Sequence, residues 1–213
     1  MTIDYYANDG TKICSATSGV PKGTKVNFKT CDCGGTYGMN GSVKISSDAT
    51  DIVAVGKVYN LGASNAAVAF SSANGHTRIS LPYVRWSEAY YKNEDPFGEL
   101  RQRCYIATQN IGTTDIPAGA ITVRYYNKYG FEVVTHTINA ILKVNQKTNS
   151  NAYITADPDG AEFGYYPDRM YGGSTIVECT APSNCKIVAI ARCNSYKSET
   201  NYPSEDYNSI LVP

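Results

Sequence analysis

The chain has 213 residues, with 19 Lys and Arg against 19 Asp and Glu and therefore no formal net charge at pH 7. Balanced charge removes the electrostatic footprint that nucleic acid or an anionic membrane surface requires, and 42 % apolar residues are enough to build a core, which excludes wholesale disorder. No apolar run approaches the ~20 residues of a membrane-spanning helix.

Strand signals recur from one end of the chain to the other. The start, Met1-Thr2-Ile3-Asp4-Tyr5-Tyr6, reads as strand and not as a signal peptide. Further strands are expected at 79–86 and 105–110. Residues 87–103 are the most charged stretch and the one place for a helical turn. Ile121-Thr122-Val123-Arg124-Tyr125 alternates apolar and polar residues, as a half-buried strand does. The Gly-containing turn Asn127-Lys128-Tyr129-Gly130 then leads into 131–138, predicting a hairpin. Residues 174–179 and 186–192 form a second pair. Within it, Ile187-Val188-Ala189-Ile190-Ala191 is apolar on both faces, which predicts a covered central strand. The fold class is all-β.

The chain also repeats itself. Thr2-Ile3-Asp4-Tyr5-Tyr6 with Gly10 aligns with Thr122-Val123-Arg124-Tyr125-Tyr126 with Gly130. Lys25-Val26-Asn27-Phe28 aligns with Lys143-Val144-Asn145-Gln146. Gly41-Ser42 falls on Gly173-Ser174, and Ile52-Val53-Ala54-Val55 falls on Ile187-Val188-Ala189-Ile190. A weaker echo joins Ile79-Ser80-Leu81-Pro82 to Ile210-Leu211-Val212-Pro213. Four blocks in one order divide the chain into an incomplete unit at 1–60, a complete β-sandwich unit at 61–197 and a terminal strand at 198–213. An isolated half-sandwich leaves open edges and apolar faces in water. The missing strands must therefore come from a flanking repeat of a longer array or from a neighbouring copy.

Gly41-Ser42-Val43-Lys44-Ile45-Ser46-Ser47-Asp48 followed by 51–55 resembles the closing hairpin of tandem Ig-like β-sandwich repeats in secreted bacterial and archaeal surface and filament proteins. Tyr105-Ile106-Ala107-Thr108-Gln109-Asn110 is similar to the opening strand of such a repeat, and Thr122 to Tyr126 with Gly130 to its central strand and turn. The resemblance implies scaffolds, adhesins and surface layers, with no shared catalytic residues and no cofactor.

Seven cysteines (Cys14, Cys31, Cys33, Cys104, Cys179, Cys185 and Cys193) point to disulfides in an oxidising, extracellular or cell-surface setting. Cys179 and Cys185 flank a turn-rich stretch and are expected to staple the end of a hairpin. Cys31-Asp32-Cys33 either holds a metal or bonds elsewhere. The odd count leaves at least one thiol free or paired with another chain, and Cys14, Cys104 and Cys193 are the candidates for an interchain bond.

Motifs for chemistry are scarce. His76 is expected in a solvated turn, and His136 on a strand face as a packing residue. No spacing assembles a Ser-His-Asp or Cys-His set, so no enzyme is expected. Asp157 and Asp159, with Asp168 nearby, resemble a fragment of a calcium loop but read more simply as a Pro-Asp-Gly turn. Asn40-Gly41-Ser42 is a formal glycosylation sequon. The 18 tyrosines suit subunit interfaces, or alternatively a glycan-binding face that would make the chain an adhesin or carbohydrate-binding module. The leading expectation is a structural subunit of an extracellular filament, pilus-like fibre or surface array. Copies of the chain would join head to tail by strand complementation through Ile210, Leu211 and Val212 on one side and Met1 and Ile3 on the other.

Overall fold

The computed structural model describes residues 1–29, 41–48, 54–60, 63–68, 75–87, 102–151, 162–164, 172–195, 204–208 and 210–211. All regular structure among them is antiparallel β, and no helix is long and apolar enough to cross a membrane. The expected helical turn within 87–103 lies largely outside the described residues.

Three strands near the N-terminus, β1 (Thr2–Ala7), β2 (Lys12–Thr17) and β3 (Gly41–Ser46), form a sheet ordered β2-β1-β3. A separate pair follows, β4 (Val55–Asn60) with β5 (Ala63–Val68). The rest of the chain builds two larger sheets. The first draws on β6 (Arg78–Val84), β9 (Ile121–Tyr126), β10 (Glu132–Thr137), β13 (Gly173–Cys179) and β16 (Ile210–Leu211), in the order β10-β9-β13-β6-β16. The second draws on β7 (Trp86–Ser87), β8 (Gln102–Asn110), β11 (Lys147–Asn151), β12 (Glu162–Phe163), β14 (Ile187–Ser195) and β15 (Ser204–Asn208). Its order is β12-β7-β8-β14-β15, and β11 also pairs with β8.

The period-2 pattern decides how these sheets meet. In β9 and β13 every second residue is buried, as it is in β8. Ile79, Leu81, Val123, Tyr125 and Val177 of one sheet share a single core with Ile106, Ile187, Ala189 and Ala191 of the other. Each large aliphatic buried this way contributes roughly 1.5–3 kcal/mol, so the interleaved faces hold the two layers together. A truncation such as Ile106→Ala would open a cavity and cost about 2–5 kcal/mol.

The internal repeat is written into the backbone. Tyr5 faces Cys14 and Tyr6 faces Lys12, leaving a bulge at Ile13. Tyr125 faces Val134 and Tyr126 faces Glu132, leaving the same bulge at Val133. Both hairpins close through the same hydrogen bonds, Ala7 N–H to the Thr11 carbonyl (2.8 Å) and Asn127 N–H to the Phe131 carbonyl (2.9 Å). Each carries a left-handed glycine, Gly10 at φ 86° and Gly130 at φ 83°. Across the other edge, Tyr6 faces Ser42 and Tyr126 faces Ser174. A Cβ on Gly41 or Gly173 would run into the Tyr6 or the Tyr126 carbonyl respectively, which is why both positions carry glycine. The β4–β5 pair likewise matches β14–β15, with Val55 opposite Val68 and Ile190 opposite Asn208.

Several expectations are corrected. Residues 174–179 and 186–192 are not a hairpin: β13 and β14 lie in different sheets, and the connection between them crosses from one layer to the other. The same holds for 41–48 and the chain that follows it, since β3 pairs with β1 whereas β4 pairs with β5. Ile187 to Ala191 is central, between β8 and β15, but only Ile187, Ala189 and Ala191 are buried; Val188 and Ile190 face the half-open outer side. His76 is not in a solvated turn. It forms a bridge with Ile187, exchanging backbone hydrogen bonds of 3.2 and 3.0 Å. In the single chain residues 204–208 pair with β14 and residues 210–211 pair with β6. Ile210 pairs with Ser80 and Leu211 with Ile79.

Candidate assembly site

The repeat allows each strand of the N-terminal half to be set against its counterpart in the larger unit. In the larger unit, β13 is flanked by β9 on one edge and β6 on the other. Its counterpart β3 is paired with β1 alone among the described residues. On β13 the core-facing Thr175 opposite Leu81 is fully buried, whereas the matching Val43 on β3 is 43 % exposed. Likewise β14 sits between β8 and β15, while its counterpart β4 pairs only with β5 among the described residues. The edges of β3 and β4 therefore stand where β6 and β8 would be. An unprotected edge with an apolar residue on it is a template for another strand.

The second feature is the junction between the two halves. Its anchor is the turn at 143–146, in which Asn145 adopts φ 64°. That turn is fixed to β8 by the Asn145 N–H to the Asn110 carbonyl (2.9 Å) and the Asn110 N–H to the Gln146 carbonyl (3.0 Å). Buried Asn110 braces it further, donating from Nδ2 to the carbonyls of Thr114 (2.9 Å) and Leu142 (3.0 Å). The N-terminal sheet docks here. Ser42 Oγ donates to the Asn145 carbonyl (3.0 Å), and Gln109 Nε2 donates to Ser42 Oγ (2.8 Å) and to the same carbonyl (3.1 Å). Gly10 lies so close that a Cβ would stand 2.7 Å from the Val144 carbonyl oxygen. Beside it, Asn8, Ile138, Leu142, Gln146 and Lys147 line a small cleft of about 200 Å³.

A buried polar chain ties the two large sheets across the core. Tyr125 Oη and Ser150 Oγ are 2.6 Å apart, and Ser150 Oγ is 2.8 Å from His136 Nδ1. Burial pushes the Tyr125 phenol far above its ordinary value, partly opposed by the Ser150 hydrogen bond. Burial also lowers the His136 pKa, which favours the neutral ring. With a neutral ring the hydroxyls can order themselves as Tyr125 to Ser150 to His136, one proton in each link. A Ser–His contact is part of what nucleophilic catalysis requires, but Ser150 is 2 % exposed and holds the buried Tyr125 hydroxyl, an arrangement that fastens strands. Sequence reasoning missed it because Asn149-Ser150-Asn151 reads as polar loop; only the register of β11 on β8 turns Ser150 inward.

No family model matches the chain, and no curated protein or solved structure is similar to it.

The cysteines resolve differently from the expected interchain bond. Cys104 and Cys193 face each other across β8 and β14 and form a disulfide within the chain. Cys14 is also disulfide-bonded. Directly opposed positions on neighbouring strands bring the sulfurs together, which leaves neither Cys104 nor Cys193 to reach another copy. A second bond joins Cys179 to Cys185 across the connection between the sheets. These disulfides fit an oxidising environment. Of the remaining named residues, Met1 bonds through its amino group to the Ser18 carbonyl (3.1 Å) and Ile3 is buried. Neither is an open acceptor position, because β2 and β3 already flank β1. Cys31, Cys33, Asn40, Asp157, Asp159, Asp168 and Val212 lie outside the described residues.

Proposed function

We propose that the protein is a structural subunit of an extracellular filament or surface array, in which copies join head to tail by strand addition. The carrying observation is the unequal environment of two matching strands: β13 is closed by β6, and β3 is not closed among the described residues. The donor is the C-terminal segment, whose Ile210-Leu211-Val212-Pro213 echoes the Ile79-Ser80-Leu81-Pro82 of β6. Among the described residues β16 pairs with β6 at two positions, against the six-residue edge that β3 of a neighbour offers. On the β6 register, Ile210 would face Ile45 and Leu211 would face Lys44 of the next subunit. A donor that leaves one copy for the next is a heterologous contact, which does not close on itself and grows in one dimension.

Deleting residues 204–213 tests this. We expect the full chain to form filaments visible by electron microscopy and the truncated chain to stay monomeric by light scattering. Filaments of normal length from the truncated chain would sink the proposal. The glycan-binding reading gains no such support: of its loop tyrosines, Tyr90, Tyr91, Tyr165, Tyr166, Tyr171 and Tyr202 lie outside the described residues, and Tyr207 is a strand position of β15 opposite Ala191.

A further inference from the structure

The two matching hairpins end in very different surroundings. The tip of β1–β2 is packed: Gly10 meets Val144 and Gln146, and Asp9 feels the charge of Lys143. At the tip of β9–β10 a Cβ on Gly130 would have no neighbour within 4 Å, and Lys128 Nζ lies 5.0 Å over the Tyr129 ring. Yet this tip carries the largest exposed apolar residues described, Tyr129 and Phe131, each 69 % exposed, with Val133 at the adjoining bulge also exposed. Single exposed apolar residues need no explanation, but three within five positions on one turn form a patch. We propose that the β9–β10 tip is a docking surface for a second copy of this chain, and that it repeats between subunits the contact the β1–β2 tip makes within one.

The occupant follows from the repeat. The β1–β2 tip seats on residues 143–146, and the segment that matches these in sequence is Lys25-Val26-Asn27-Phe28. In the single chain Lys25 and Asn27 are exposed, and Val26 and Phe28 are half-exposed. The tip of one subunit would therefore meet residues 25–28 of the next, with Tyr129 set beside Lys25 as Asp9 is set beside Lys143. The difference in residue type has a physical reason. The contact within the chain is tethered and polar side chains suffice, whereas the contact between copies has no tether and needs apolar area near its centre. The direction also agrees with strand addition, because both place the C-terminal half of one copy against the N-terminal half of the next.

This inference rests on the head-to-tail reading but can fail separately from it. Gly130→Asn keeps a residue that tolerates positive φ and adds a side chain where the matching Gly10 admits none. We expect it to fold as the wild type by urea denaturation and to lower filament yield at least tenfold; a second variant, Tyr129→Ser with Phe131→Ser, should do the same. Replacing Tyr129 by a photoreactive phenylalanine analogue should cross-link to residues 26–29 of another copy, identified by mass spectrometry after trypsin. Normal filaments from both variants, or cross-links confined to other segments, overturn the docking surface. If those filaments still require residues 204–213, strand addition stands without it. If tip variants block assembly and the truncated chain assembles, strand addition fails and the docking surface stands. A full-length chain that stays monomeric overturns both.

Discussion

A histidine among hydroxyls reports on pH in one direction only. His136 is held neutral by burial and bonds through Nδ1 to Ser150, which in turn holds the Tyr125 hydroxyl. Its folded pKa lies below the roughly 6.5 of an unfolded histidine. As pH falls through about 6.5 the unfolded chain takes up a proton that the folded chain resists, so stability declines with acid until the folded value is passed. His136→Gln retains a hydrogen-bonding side chain and removes the titration. We expect the wild type to lose stability between about pH 7 and 5 relative to this variant, measured as urea midpoints across that range. Parallel curves would show that His136 does not carry the acid sensitivity. None of this was legible in the sequence. The alternation of 131–138 placed His136 on a face, but a partner 14 residues away is set by which sheet β11 joins, not by spacing.

At the scale of strands the repeat was the most legible feature, and one pair of glycines turns it into a measurement. Gly10 and Gly130 occupy the same turn with the same positive φ, so an alanine at either place meets the same backbone strain, about 1–2 kcal/mol. Only at Gly10 does the added Cβ also strike a neighbour, the Val144 carbonyl at 2.7 Å. Gly10→Ala should therefore destabilise by about 1–3 kcal/mol more than Gly130→Ala, with the excess appearing as faster hydrogen exchange in β1 to β3. Equal losses would mean that the two halves part without cost and that the junction is not a defined interface. The matching blocks around Tyr5 and Tyr125 foretold this equivalence because alternation and turn glycines are local signals. The pairing of β13 and β14 was misread for the same reason. Two strands joined by a short turn-rich connection look alike whether they pair in one sheet or cross between two, and the decision rests with the distant strands β8 and β9.

For the whole molecule, zero net charge takes on a positive meaning. Identical subunits brought into contact along one axis suffer like-charge repulsion unless their surfaces balance. The surfaces assigned to assembly here, the backbone edge of β3 with its Lys44 and the aromatic tip with Lys128 5.0 Å over the Tyr129 ring, would meet their partner through backbone and apolar area, not through opposed charges. Association driven by opposed charge slows by orders of magnitude as salt screens it. Association through a backbone ladder and apolar area does not, and salts excluded from protein surfaces strengthen it. Filament elongation seeded at fixed protein concentration should accordingly change by less than about threefold between roughly 0.05 and 0.5 M sodium chloride, over which the screening length falls from about 14 to about 4 Å. Sodium sulfate at equal ionic strength should speed it. Light scattering after seeding gives both rates. A tenfold fall across the chloride series would assign assembly to ion pairs and remove the β3 edge and the hairpin tip as its main contacts. The Lys12–Asp4 pair at 2.6 Å and the Arg124–Glu178 pair at 2.9 Å lie within the chain, so salt acting on them would shift folding and leave elongation of folded subunits nearly unchanged.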